Sequence, residues 1–175
     1  MPYSEIAGKQ FTKDFFQFIN PKYILDVGVG CGTYSLLLRN SNIQHWTGIE
    51  VWEPYVQKFN LQTHYDELIV EDIRLWEPKT LFNVAFFGDV LEHMTLDESK
   101  TVLNKVRRIC DYSIISIPFG NNPQEEVENN PFERHIENYW DDVKVRNNFG
   151  TPILFNIERG EWCTMGVYVY PKTFM

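Results

Sequence analysis

No stretch of this sequence approaches the roughly 18 consecutive apolar residues of a membrane-spanning helix, so no span is expected. Cysteine is scarce. Cys31, Cys110 and Cys163 are odd in number, far apart and never arranged as C-x-x-C. That speaks against a disulfide framework and for free thiols in a reducing compartment. Basic residues are outnumbered, 16 Lys and Arg against 24 Asp and Glu, for a formal charge of −8. Sequence-independent binding to nucleic acid needs a Lys/Arg field over the phosphates, which this chain lacks. The N-terminal "MPYSEIAGKQFTKDF" does not have the basic-then-apolar order of a secretory signal. Repeats and low-complexity segments are also missing. The expectation is a soluble cytoplasmic protein with neither DNA nor membrane as partner, as monomer or homodimer.

What is present is a core. In 175 residues, 43% are hydrophobic and 15% aromatic, enough for one domain over 1–175. Residues 9–20, "KQFTKDFFQFIN", space their apolar positions as a helix does, and Asn20-Pro21 stops it. Phe11, Phe15, Phe16 and Phe18 read as the face that packs on a sheet. Short buried strands are expected at "YILDVG", 45–50, 66–73, 81–90 and 112–120, the last stopped by Pro118. Helices are expected over 32–39, from Pro54, from a cap at Asp97 to Arg108, and in "IENYWDDVKVRNN", ended by Gly150. A hairpin around Arg159-Gly160-Glu161 closes the chain, and 119–137 reads as a substrate loop. Alternation of this kind predicts an α/β, Rossmann-like doubly wound fold. Its sheet would have seven strands, mostly parallel, with an antiparallel strand from the hairpin and helices on both faces. Ligands should sit at the carboxyl ends of the strands, where the strand order reverses.

Every one of the first four strands exits on an acid: Asp26, Glu50, Asp72 and Asp89. After Asp26 come Gly28, Gly30 and Gly32, which allow a tight turn against a ligand with no Cβ in the way. An acid ending the second strand suits a ribose diol, because a carboxylate accepts from both hydroxyls. These features fit a nicotinamide dinucleotide and S-adenosylmethionine alike. The dinucleotide fingerprint G-x-G-x-x-G needs glycine at 33, where this chain has threonine. Asp26 beside the turn also disfavours a pyrophosphate and welcomes a cationic ligand. No GK[ST] follows the glycines, so a P-loop is excluded.

"LDVGVGCG", "TGIEVWEP", "VEDI" and "GDVLEHM", in this order, resemble the motifs of the class I S-adenosylmethionine-dependent methyltransferases over nearly the whole chain. The resemblance implies that S-adenosylmethionine is bound and leaves as S-adenosylhomocysteine. It implies a methionine end shaped by Asp26, Gly28 and Gly30, and a ribose on Glu50 with Val51 beside it. It implies an adenine at Asp72 and Ile73, and Asp89 close to the transferring methyl.

Methyl transfer from a sulfonium needs alignment and a proton acceptor. Asp89, His93 and His135 are the candidate catalytic residues, with Glu92 and Glu133 nearby in the same segments. Phe132 and Trp140 read as loop packing. "DVLEH" with a later histidine also resembles the carboxylate–carboxylate–histidine metal site of small-RNA 2′-O-methyltransferases and ubiquinone-pathway O-methyltransferases. Asp89 stands where those have glutamate, and no metal ligand is assigned. The [DNS]-P-P-[YFW] pattern of adenine, cytosine or glutamine methylation does not follow strand four. The expected function is methyl transfer to an oxygen or nitrogen of a small-molecule acceptor. The rivals are a metal-assisted RNA 2′-O-methyltransferase, a catalytically silent cofactor-binding partner subunit, and a nicotinamide oxidoreductase.

Overall fold

The computed structural model describes residues 4–173. Helix α1 (Lys9–Ile19) leads to β1 (Tyr23–Val27), α2 (Thr33–Leu38), β2 (His45–Glu50), α3 (Glu53–Lys58) and β3 (Glu67–Val70). There follow β4 (Phe82–Gly88), α4 (Leu96–Arg107), β5 (Cys110–Asn121), β6 (Tyr139–Trp140), α5 (Asp142–Phe149), β7 (Leu154–Arg159) and β8 (Thr164–Pro171). The strands lie in the order β3-β2-β1-β4-β5-β8-β7, with the two-residue β6 paired to the end of β5. Pairs among β1 to β5 in the main sheet are parallel, and β8 runs antiparallel to both β5 and β7. The chain builds outward from β1 to β3, then returns to lay β4 on the other side of β1. That reversal opens a crevice between the β1 and β4 exits.

Both faces of the sheet are covered. On one side Phe15 and Phe16 of α1, Tyr34 and Leu38 of α2 and Tyr55 of α3 pack with Ile24, Trp46 and Phe86. Phe16 stacks near Trp46 and Phe86, with ring centroids 6.2 and 6.0 Å away. A side chain of that size, fully buried, contributes about 1.5–3 kcal/mol by area alone. On the other side Val102, Leu103 and Val106 of α4 and Val145 and Phe149 of α5 pack with Leu25, Phe87 and Ile115. The expected aromatic face of α1 is only partly used: Phe18 is 84% exposed.

Several expectations change in detail. The helix-free link from β3 to β4 is held by Lys105 of α4, which donates to the carbonyls of Ile73 and Trp76 there (2.8 and 2.5 Å). A side chain thus satisfies backbone acceptors that a helix would have satisfied itself. The cap of α4 is Thr95, whose hydroxyl accepts from Glu98 N–H while the Glu98 carboxylate accepts from Thr95 N–H. Asp97 lies in the first turn instead. Strand β5 continues through Pro118, which lies beyond the last β4 pairing at Ser116, where a missing N–H breaks no ladder on that side. The segment expected as one helix before Gly150 divides into β6 and α5.

The N-terminal segment is tied to the hairpin. Glu5 accepts from the N–H groups of Ile6 and Trp162, both at 2.8 Å, and Gly8 N–H donates to Glu158 (2.9 Å). Gly8 is left-handed (φ 79), and a Cβ there would overlap Val167 of β8. Among the described residues no helix is long and apolar enough to cross a membrane.

Candidate functional site

The crevice is a cleft of about 930 Å³, open to solvent. The turn from β1 to α2 forms one wall, with Gly28, Gly30 and Gly32 all left-handed (φ 65, 53 and 83). Gly28 N–H donates to Ile49 O (2.9 Å), which ties the turn to β2. A Cβ on Gly28 would lie 2.6 Å from Val90 Cγ2, so the turn and the β4 exit meet here with no room for a side chain.

Glu50 ends β2 and is 4% exposed. Its carboxylate accepts from Gly30 N–H (3.0 Å) and Trp52 N–H (2.8 Å). Burial pushes its pKa up to about 7, against those two bonds and with help from Glu133. Val51, Ile49 and Ile73 give the cleft an apolar wall. Asp72 lines it too, held by Arg74 through Nε (3.0 Å), a terminal nitrogen (2.6 Å) and the backbone N–H (2.8 Å). Despite partial burial, these bonds hold the Asp72 carboxyl below its ordinary value. Arg74 also bonds Glu98 (2.8 Å). Asp26 lies elsewhere: it is buried beneath the turn, accepts from Tyr65 O–H (2.8 Å) and does not line the cleft. Burial pushes its pKa up to about 7.

Asp89 follows β4 with a left-handed backbone (φ 57). Strain of that kind costs about 1–3 kcal/mol and persists where neighbours fix it. Here Ser116 does so: its hydroxyl donates to Asp89 Oδ1 (3.1 Å) and its carbonyl accepts Asp89 N–H (3.1 Å).

Beyond Asp89, the structure brings His93 and His135 together, with ring centroids 4.9 Å apart. His93 Nδ1 bonds Arg134 O (3.2 Å) and His135 Nδ1 bonds Asn122 O (2.5 Å). Since a carbonyl can only accept, each Nδ1 carries the proton and each Nε2 is left as a bare acceptor. Burial lowers both imidazole pKa values, and for His93 the neighbouring His135 lowers it further. Glu92 is 1% exposed, with both carboxylate oxygens unpaired, and its pKa is raised well above normal by burial and by Asp89. Ligand atoms of Glu92, His93 and His135 all lie within 4.8 Å of one another. One carboxylate and two imidazoles make a donor set that fits a divalent transition ion. Asp89 does not belong to that group.

Sequence reasoning placed a loop over the cleft and missed how it is fastened. Tyr55 O–H donates to Glu133 (3.1 Å), Phe132 packs on Trp52 (centroids 6.2 Å apart), and Lys58 pairs with Glu128. Phe132, Glu133 and Asn130 line the cleft, so Phe132 does more than pack the loop. Trp140 is core, stacked on Phe149. No local pattern signals these contacts, because the partners are 70 to 80 residues apart.

Residues 25–112, half of the chain, match the model of a family described as a methyltransferase domain. The chain belongs to that methyltransferase family. No curated protein matches it in sequence. Solved structures share the class I fold at low identity. The N-terminal domain of EvdMO1, with SAH bound, is 15% identical at a TM-score of 0.70, covering 97% of this chain and 83% of that one. The 1,6-didemethyltoxoflavin-N1-methyltransferase of Burkholderia thailandensis, with its acceptor and S-adenosylhomocysteine bound, is 16% identical at 0.73, covering 97% and 80%. Magnesium protoporphyrin IX methyltransferase of Synechocystis PCC 6803, with SAM bound, is 14% identical at 0.67, covering 95% and 81%.

Proposed function

We propose that this chain binds S-adenosylmethionine in the crevice and transfers its methyl group to an oxygen or nitrogen of a small molecule. The observation that carries the reading is Glu50. Two backbone N–H groups fix its carboxylate beside the glycine turn, and its remaining lone pairs suit a ribose diol. Ile73 offers an apolar surface for adenine, with Asp72 next to it. S-adenosylmethionine supplies an electrophilic methyl on a sulfonium. The chain's part is alignment and proton transfer: Nε2 of His93 or His135, basic and unprotonated near neutral pH, takes the acceptor's proton. Among the described residues Arg74 is the cation lining the cleft, and it is engaged by Asp72 and Glu98. A neutral or cationic acceptor suits such a wall better than a nucleic acid. The toxoflavin precursor and the porphyrin handled by two structural neighbours are small molecules, which supports an acceptor of that class.

Calorimetry with S-adenosylhomocysteine should show one site per chain, and no binding would overturn the reading. Binding without labelled-methyl transfer to any of a panel of phenols, amines and alcohols would favour a silent partner subunit instead.

A second reading, cation-assisted transfer, is favoured by the two unpaired oxygens of buried Glu92 facing His93 and His135. Those three would hold the ion, which would polarise an acceptor oxygen. The two readings compete for the same Nε2 atoms. Elemental analysis of protein purified without chelator separates them: one ion per chain, lost in Glu92→Gln, is the result this second reading requires.

A further inference from the structure

Lys9 is a buried cation with no evident purpose in the fold. It is 7% exposed and, among the described residues, forms no ion pair. It also opens α1, the end of a helix that repels positive charge. Its position is built in: left-handed Gly8, pressed on Val167 and bonded to Glu158, aims the first turn of α1 at the sheet. The ammonium donates to the Tyr34 hydroxyl (3.1 Å). Tyr34 in turn lines the cleft, and its ring lies so close to Gly88 that a Cβ there would collide with it. Having accepted from Lys9, the Tyr34 hydroxyl keeps its own proton to donate into the cleft. Burial pushes Lys9 toward neutrality, but Tyr34, Asp89 and Asp26 outweigh it and hold the ammonium above its ordinary pKa. The cation is thus kept charged behind Tyr34 without an ion pair of its own, and an anion accepting from the Tyr34 hydroxyl would gain from that charge. Asp89 supplies the opposite sign along the same wall, so this end of the cleft suits a zwitterion.

We propose that the Tyr34 hydroxyl, backed by Lys9, binds the carboxylate at the amino-acid end of S-adenosylmethionine. The inference rests on the cofactor reading above. Tyr34 touches the ligand and Lys9 acts through it as a positioning residue.

Three ligands separate the contributions without any turnover: S-adenosylhomocysteine, its decarboxylated analogue S-adenosyl-3-thiopropylamine, and 5′-methylthioadenosine. A charge-assisted hydrogen bond predicts that the wild type prefers S-adenosylhomocysteine over the decarboxylated analogue by about 10–100-fold. In Lys9→Met and in Tyr34→Phe this preference should collapse to within about threefold, with affinity for 5′-methylthioadenosine unchanged. Lys9→Arg should recover part of it. Equal wild-type affinity for the first two ligands would overturn the inference. So would a Lys9→Met variant that loses affinity for all three ligands alike, which is the mark of a merely structural role. A wild type that binds none of the three fails the cofactor reading itself, a result distinct from either.

Discussion

Glu50→Gln should weaken binding of S-adenosylhomocysteine about 10–100-fold at pH 8 and flatten the dependence of that binding on pH. The first effect follows from the donors around the carboxylate. Gly30 N–H points at one oxygen and Trp52 N–H at the other. An amide replaces one of those oxygens by an NH₂ group, so one buried backbone donor faces another donor, at a cost of about 1–3 kcal/mol. The ribose loses a charged acceptor in the same step. The second effect follows from burial. A carboxyl raised from its ordinary 4.5 to about 7 in the folded chain is held there chiefly by desolvation. Such a group favours the folded state while protonated: its contribution is complete below about pH 4.5 and is lost as pH climbs through 7. The difference amounts to about 3 kcal/mol. Ligand binding runs the other way, since the ribose needs the ionised form. Affinity should therefore rise about tenfold per pH unit up to about pH 7 and level off above it. Asp26 titrates in the same range beneath the turn, so the variant should lose Glu50's share of the slope and keep any share of Asp26's. Calorimetry from about pH 5.5 to 8.5 on both proteins reads this directly. A wild-type affinity flat below pH 7, or a variant with the wild-type slope, would refute the reasoning.

Gly28→Ala should lower stability by about 1–3 kcal/mol in thermal unfolding, because φ is 65 and the new Cβ meets Val90. Thr95→Ala should cost about 1 kcal/mol by removing the α4 capping box while leaving affinity for S-adenosylhomocysteine unchanged. If His135 is the base, His135→Ala should lower kcat about 10²–10⁴-fold with the dissociation constant of S-adenosylhomocysteine within about twofold of wild type.

The sheet was legible because its pattern is local. Each of the first four strands is a short apolar run with an acid at or beside its exit, and β2 falls on 45–50 as expected from the sequence. The cap of α4 was also written in the sequence, as Thr95-Leu96-Asp97-Glu98, a T-x-x-E box that outranks the lone Asp97. Other features have no local signature. The fastening of the link between β3 and β4 depends on Lys105, about 30 residues downstream, which donates to carbonyls of that segment. The pairing of His93 with His135 depends on the loop after β5 returning across the β4 exit, where Ile136 and Glu137 N–H both bond Glu92 O. The histidines were legible as candidates, but their shared tautomer was not, since it is set by carbonyls of Arg134 and Asn122. Lys9 went unnoticed because a lysine beginning an amphipathic helix looks like a solvated residue until Gly8 is seen against Val167.

That contact between Gly8 and Val167 has a consequence for the order of assembly. Strands β1 to β5 are complete by residue 121 and can pair as they are made, but β8, which seats α1, is synthesised about 45 residues later. Contacts spanning almost the whole chain are slow to close and come late in folding. Phe16 can pack on Trp46 and Phe86 before then, but the first turn of α1 takes its final seat only with the last strand, so the Tyr34 end of the cleft is completed after the ribose end. A chain stopped short of β8 would keep the Glu50 side of the site and leave Lys9 unseated.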